Sequence, residues 1–189
     1  MTQLANTEKR YGAIAIALHW LMAALLVALV ATGLYMVSLP DAGFDKKKIE
    51  LILFHKQLGI LALTLAAARL AWRLTNRLPA LVTTIPDWQK VAARFVHLCF
   101  YGLMIALPIT GWLMSSAAGI PVSFLGIFDL PDLIARNDEM FRTFISIHKW
   151  LGYALVACFL MHAGAALWHH FIFKDETLRK IMPTHARSR

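Results

Sequence analysis

Three stretches of the chain, residues 11–40, 95–128 and 150–173, contain no Asp, Glu, Lys or Arg. Each exceeds the roughly 20 apolar residues that carry a helix across about 30 Å of hydrocarbon. A fourth stretch, about 51–74, is broken only by Lys56 near its start and by Arg69 and Arg73 near its end. Long basic side chains at helix ends can carry their charge out to the interface. The pattern therefore predicts four transmembrane helices, at about 14–37, 51–74, 93–114 and 146–173. The period-2 alternation of strands is missing from the sequence, so the expected fold is all-α, an integral membrane four-helix bundle forming a single domain over 1–189. The first apolar run is too long for a signal-peptide core and lacks a small-residue cleavage site after it. Trp20, Trp72, Trp88, Trp112, Trp150 and Trp168 fall near helix ends, where interfacial aromatics belong. The longest connection, about 115–145, reads apolar and is expected to form a short helix on the outer face. Pro108 with Gly111 predicts a kink in the third helix.

Composition agrees with this reading and removes its rivals. The 189 residues are 59% hydrophobic and only 16% charged, with a net charge of +8. So apolar a chain is neither disordered nor collagenous, and it lacks the polar, cation-rich face that nucleic acid requires. Cys99 and Cys158 both lie in apolar runs, which leaves no disulfide framework and no CxxC site. The charge also orients the bundle. With four spans, both termini and the second connection share one side, which carries twelve cations against four acids; the other side carries seven of each. Cation excess marks the cytoplasmic face, so both termini are expected inside. Lys46–Lys48 reads as a solvated cluster in the first connection.

The histidines carry the candidate chemistry, because an ionisable group within a membrane is a functional hypothesis by default. His55-Lys56-Gln57-Leu58-Gly59 and His148-Lys149-Trp150-Leu151-Gly152 repeat the pattern H-K-x-L-G at the outer starts of two parallel helices. Gly59 and Gly152 stand one turn beyond their histidines, where a missing side chain would admit a flat ring. His148 and His162 are separated along one helix by about four turns, roughly 21 Å, and lie on nearly one face. His19, on an antiparallel helix, falls near the depth of His162. Two cross-bundle pairs follow: His55 with His148 outside, and His19 with His162 inside. Paired neutral imidazoles across a helical bundle suit axial ligation of haem iron. Zinc is the weaker alternative, since it wants three or four ligands at close quarters. Arg69 follows His55 at the same interval as His162 follows His148, so it reaches the inner level. With Arg73 and Arg94 it could neutralise haem propionates. Lys56 and Lys149 could do so outside, or steer an anionic reactant. His97 has no evident partner and divides between interface packing and a contact with propionate or quinone. His169 shares the face of His162 and is a candidate quinone contact, whereas His170 and His185 belong to headgroups and solvent.

His19-Trp20, the two H-K-x-L-G runs, and the tail His162-Ala163 … His169-His170-Phe171 … Lys174-Asp175-Glu176-Thr177-Leu178 together resemble the bacterial dihaem cytochrome b561 family. The resemblance covers essentially the whole chain, and the core is similar to the cytochrome b subunits of membrane hydrogenases and formate dehydrogenases. It implies two b haems, held by His19 with His162 on the cytoplasmic side and by His55 with His148 on the periplasmic side. It further implies electron exchange with quinone. Some members resemble superoxide oxidases, which pass electrons from superoxide to ubiquinone. The expected function is thus a quinone-linked electron carrier in the lipid bilayer. The rival reading is a membrane anchor that relays electrons for a separate redox partner protein. A haem-free transporter is disfavoured by the lack of any membrane carboxylate.

Overall fold

The computed structural model describes residues 3–8, 10–40, 45–80, 85–124 and 126–183. Four long helices dominate it: α1 (Ala13–Ser38), α2 (Lys46–Thr75), α3 (Asp87–Ala117) and α4 (Asp138–Trp168). All four are long and apolar enough to cross a membrane. The last continues into a π-helical turn, His169–Phe173, and ends at Lys174 in the left-handed conformation, φ 53°. Helix α1 packs against α2, α2 against α3, and α3 against α4. Among the described residues, α4 makes no comparable backbone packing with α1 or α2.

Three helices begin earlier than the apolar windows suggest, because their first turns are polar, and two of these starts are capped by a side chain. The Asp45 carboxylate accepts from the Lys47 and Lys48 backbone N–H groups. The Asn137 side chain accepts from those of Glu139 and Met140. Such caps satisfy the orphan donors of a helix start, and Asp138 and Glu139 sit favourably in the first turn of α4. The apolar spans are therefore inner portions of longer helices that project beyond the hydrocarbon.

The molecule buries little and exposes much that is apolar. Met22, Ala66 and Met104 form a small central cluster, flanked by Leu26, Leu65, Phe100 and Tyr101. Leu21, Val27, Phe95, Leu98, Leu160 and Leu167 all face outward. A soluble protein would not present so continuous an apolar surface; a lipid-facing bundle must.

The connection between α3 and α4 departs from expectation. Instead of a short helix it forms an antiparallel hairpin, β1 (Val122–Phe124) with β2 (Phe128–Leu130), pairing Val122 with Leu130 and Phe124 with Phe128. Gly126 turns it at φ 70°, a conformation that disfavours a side chain. The hairpin is tied to α3: the Ser115 hydroxyl donates to the Ile120 carbonyl, and the Ser116 hydroxyl accepts from the Leu133 N–H. Val122 is buried, and β1 packs on both α2 and α3. Pro108 lies within α3, which is assigned as one helix throughout.

At the opposite end, the N-terminal stretch, the α2–α3 connection and the C-terminal stretch meet. Asn6 donates to the Arg77 carbonyl, Ala80 N–H to the Glu8 carbonyl, Lys180 to the Ala80 carbonyl, and Trp20 Nε1 to the Ile181 carbonyl. Lys9, Arg187, Arg189 and His185, which entered the sequence reading, lie outside the described residues. His169 Nδ1 meets Asp175 Oδ2 at 2.5 Å, and Asp175 also accepts from the Thr177 N–H. Burial alone would raise the Asp175 carboxyl, but its hydrogen bonds from Thr177 and His169 prevail and hold it below the usual carboxylate range.

Two outcomes are expected. Met22→Ala leaves a cavity between α1, α2 and α3; with lipid as apolar as the core, the packing loss of about 1–3 kcal/mol remains and lowers the melting temperature in detergent. A depressed folded-state carboxyl contributes stability above its unfolded value, about pH 4, and loses it as pH falls through the folded value. Asp175→Asn should therefore melt earlier than the parent at neutral pH, and the gap should close on acidification below about pH 4.

Candidate functional site

The gap between α4 and the α1–α2 hairpin is crossed by imidazole rings at two levels. At the outer level His55 of α2 faces His148 of α4, ring centroids 6.3 Å apart and planes at 77°. At the inner level His19 of α1 faces His162 of α4, at 6.2 Å and 56°. An imidazole–metal bond of roughly 2.0–2.1 Å on each side, plus the ring's own half-width, sets two opposed axial ligands about 6.3 Å apart between centroids. Rotation about the shared nitrogen–metal axis is free, so neither angle conflicts with it. Both predicted pairs meet this spacing. Among the described residues there is no group of three or more His, Cys, Asp or Glu arranged for a bare metal ion.

The outer histidines are oriented in the same way. His55 Nδ1 lies 3.1 Å from Thr32 Oγ1, and His148 Nδ1 lies 3.0 Å from Thr110 Oγ1. Each hydroxyl spends its proton on its own helix: Thr32 donates to the Ala28 and Leu29 carbonyls, Thr110 to the Leu107 carbonyl. With its proton given to its own helix, each hydroxyl accepts from Nδ1, and in that arrangement each histidine carries its N–H there. Nε2 is then the nitrogen with a free lone pair, the form an iron ligand needs. The neighbouring glycines complete the seats. A Cβ on Gly33 would stand 3.3 Å from His55 Cε1, and one on Gly111 3.4 Å from His148 Cε1.

These are not the glycines singled out in the sequence. A Cβ on Gly59 or Gly152 would meet nothing within 4 Å. Both border open space beside the ring level and leave room for a planar group, but they do not touch the histidines. Gly111, read as part of a kink, instead abuts His148. The missed residues are Thr32-Gly33 and Thr110-Gly111. Their signal was the same dipeptide in the first and third helices, at one and the same interval after His19 and His97.

The inner level is built differently. Arg69 donates to His19 Nδ1 at 3.0 Å. A guanidinium has no acceptor, so His19 here carries its proton on Nε2. The ring spacing fits a ligand pair as at the other level, while the Arg69 contact leaves Nδ1, not Nε2, as the ring's accepting nitrogen. His97 does have a partner, contrary to expectation: its ring lies 5.4 Å from that of His162, which also meets Phe100 at 5.4 Å. Arg73 lies over the Tyr101 ring at 5.6 Å. Tyr11 is held above its usual range by burial, an effect partly opposed by Arg73 and Arg69. Arg94 is exposed on α3, one turn before His97.

The flanking lysines diverge. Lys56 Nζ is buried without a hydrogen-bond partner, while Lys149 is exposed with its Nζ 5.7 Å from the Trp150 ring. Beside Asp175, a cleft of about 160 Å³ is lined by Ile85, Pro86, Gln89 and Phe173. The Gln89 Oε1 atom is buried there without a partner. His169 thus stands at the inner end through its pairing with Asp175.

Comparison with known proteins agrees with this architecture. A family model described as prokaryotic cytochrome b561 matches residues 10–184. Cytochrome b561 homolog 2 of Escherichia coli (strain K12) is 38% identical over 178 residues, covering 94% of this chain and 93% of that protein. Cytochrome b561 homolog 1 of the same strain is 33% identical over 180 residues, covering 92% and 97%. A probable superoxide oxidase CybB of Yersinia pestis is 29% identical over 178 residues, covering 93% and 97%. Four membrane-spanning helices, a near-complete family match and full-length relatives above 30% identity place the chain in the prokaryotic cytochrome b561 family of membrane electron-transfer proteins.

Proposed function

We propose that this protein is a dihaem b-type cytochrome carrying electrons across the membrane between an outer donor and a quinone, as a single unit over its whole length. The family implies b-type haem. The observation carrying the reading is the pair of opposed imidazoles at each of two levels, spaced at 6.3 Å and 6.2 Å. His55 and His148 hold the outer haem, and His19 and His162 the inner one. Bound haem would supply reversible one-electron iron chemistry, with the imidazole pairs as the groups that hold it.

The chain's own residues tune and protect that chemistry. The threonine oxygens keep the outer rings in the ligating tautomer. Arg69 and Arg73 put two cations at the inner level, where they favour the reduced, less positive iron and draw electrons inward. Arg69, bonded to His19 Nδ1 here, is the cation that would pair with a haem propionate at this level, and His19 would then carry its proton on Nδ1. Lys56, buried without a partner beside His55, supplies the local positive potential that an anionic donor or a propionate needs. Lys149 extends it to the surface. One relative is named a probable superoxide oxidase, and superoxide is an anion of the size and charge that such a lysine pair would attract.

At the inner end, the cleft beside Asp175 matches a quinone headgroup in size and offers Gln89 and the His169–Asp175 pair as polar contacts. The described N-terminal and C-terminal stretches meet at this end, and the cation excess supports its being the cytoplasmic side of an inner membrane.

Absorption spectra of purified protein should show b-type bands, with His148→Ala losing one component and His162→Ala losing a different one. Spectra without those bands, or unchanged in both variants, contradict the reading. In stopped-flow mixing, superoxide should reduce the oxidised protein quickly. Lys56→Glu with Lys149→Glu should slow it at least tenfold, as should high salt. Failure to react with either superoxide or quinol would instead favour an anchor that relays electrons for a partner subunit.

A further inference from the structure

The H-K-x-L-G repeat belongs to a longer correspondence that the structure makes visible. Placing His19 over His97 aligns Leu25 with Leu103, Ala28 with Ala106, Leu29 with Leu107, Thr32 with Thr110, Gly33 with Gly111 and Met36 with Met114. Placing His55 over His148 aligns Lys56 with Lys149, Leu58 with Leu151 and Gly59 with Gly152. The α1–α2 hairpin and the α3–α4 hairpin are thus two copies of one unit, with the β1–β2 hairpin inserted in the second. In each copy the threonine of the first helix meets the histidine of the second, at 3.1 Å and 3.0 Å. In each, the following glycine lies against Cε1 of that same histidine, at 3.3 Å and 3.4 Å from where its Cβ would be. Both threonines also return their hydroxyl proton to their own helix, including the equivalent carbonyls of Leu29 and Leu107.

The same alignment shows where the copies diverge. With His55 placed over His148, Arg69 falls in the register of His162. His97 occupies the register of His19. The outer level therefore takes one histidine from each copy at the same position. The inner level takes the first-helix histidine of one copy and the second-helix histidine of the other. The two leftover positions hold Arg69, bonded to His19, and His97, edge-on to His162.

We propose that Thr32-Gly33 and Thr110-Gly111 are duplicated positioning clamps that set the tautomer, tilt and electron-donating power of the outer histidine pair alone, leaving the inner pair to the Arg69 and His97 substitutes. The proposal rests on the reading of His55 and His148 as haem ligands. Three constraints act together at each clamp. The hydroxyl oxygen accepts the Nδ1–H and so commits Nε2 to the bundle interior. A hydrogen bond donated by Nδ1–H makes the imidazole a stronger electron donor through Nε2, which would favour oxidised iron. The glycine allows the helix to approach the ring edge, and any side chain there would tilt it. A hydroxyl pointing back at its own helix is ordinary for threonine; its recurrence against the same histidine edge in both copies is not.

The test uses purified holoprotein and compares Thr110→Val, Thr32→Val and Thr110→Ser by low-temperature EPR and redox titration. His148→Ala and His162→Ala assign the outer and inner components. Valine keeps the shape but removes the hydroxyl acceptor; the Leu107 carbonyl remains a second partner for His148, so the shift at Thr110→Val should be the smaller of the two. Each valine variant should shift the low-spin signal of the outer component and raise its midpoint potential, with the inner component unmoved; serine should restore both. An unchanged outer component, equal shifts in both components, or failure of serine to restore the parent values would overturn the clamp. Should a valine variant load no haem, Gly111→Ala provides the second arm. It should perturb the outer signal alone, and a normal outer signal there also counts against the proposal. If His148→Ala keeps both haem components, the ligand assignment itself is wrong. If it loses the outer one and the valine variants remain silent, only the clamp is.

Discussion

A histidine held inside hydrocarbon must have both ring nitrogens satisfied, because no water is there to do it. Much of this molecule's interior follows from meeting that demand at His55, His148 and His19. At His55 and His148 one nitrogen is settled by a threonine oxygen, leaving the other directed across the bundle. At His19 the settled nitrogen faces Arg69. Across the gap, each ring has the histidine of another helix opposite it. The spacing between α4 and the α1–α2 hairpin is therefore set by imidazoles and not by close helix packing. Glycines appear where the outer rings approach a helix, and small residues and methionines fill what remains.

This arrangement also gives the bundle a direction. The outer pair is held by neutral hydroxyls, and the inner level gathers Arg69 and Arg73. Fixed positive charge favours an electron, so under the proposed reading Arg69 and Arg73 would stabilise one at the inner level, as Lys56 would at the outer. The two ends are organised to match. The outer end has an apolar hairpin anchored to α3 through Ser115 and Ser116 and a buried lysine ammonium beside His55. The inner end ties three segments together through backbone carbonyls and closes on the His169–Asp175 pair.

Much of this was legible in the chain, for identifiable reasons. Lipid forbids charge, so the four spans could be read from where charges stop. A repeated motif placed His55 and His148 at one depth, and helical rise carried the argument to His162 and His19. The starts of α2 and α4 were missed because their capped turns, at Asp45 and Asn137, lie outside the apolar windows. The hairpin at Val122–Leu130 was hidden because two such short strands in an apolar loop have no periodicity to detect. Thr32 and Thr110 escaped notice because a threonine in a helix usually serves only its own backbone. Their second partner is a tertiary contact. Gly59 and Gly152 were noticed because they are close in sequence, yet the glycines that touch the rings sit on the neighbouring helix. His97 looked solitary because its neighbour His162 lies on the next helix, beyond the whole hairpin connection.

The central claim is that the two ring levels are two separate haem sites within one chain. The most direct measurement is haem content per protein after extraction as the pyridine complex, with protein quantified independently by amino-acid analysis. The account predicts two non-covalently bound b-type haems per chain, falling to one when His55 and His148 are both replaced. A single haem in the parent protein, a covalently attached haem, or no loss in that double variant would contradict it.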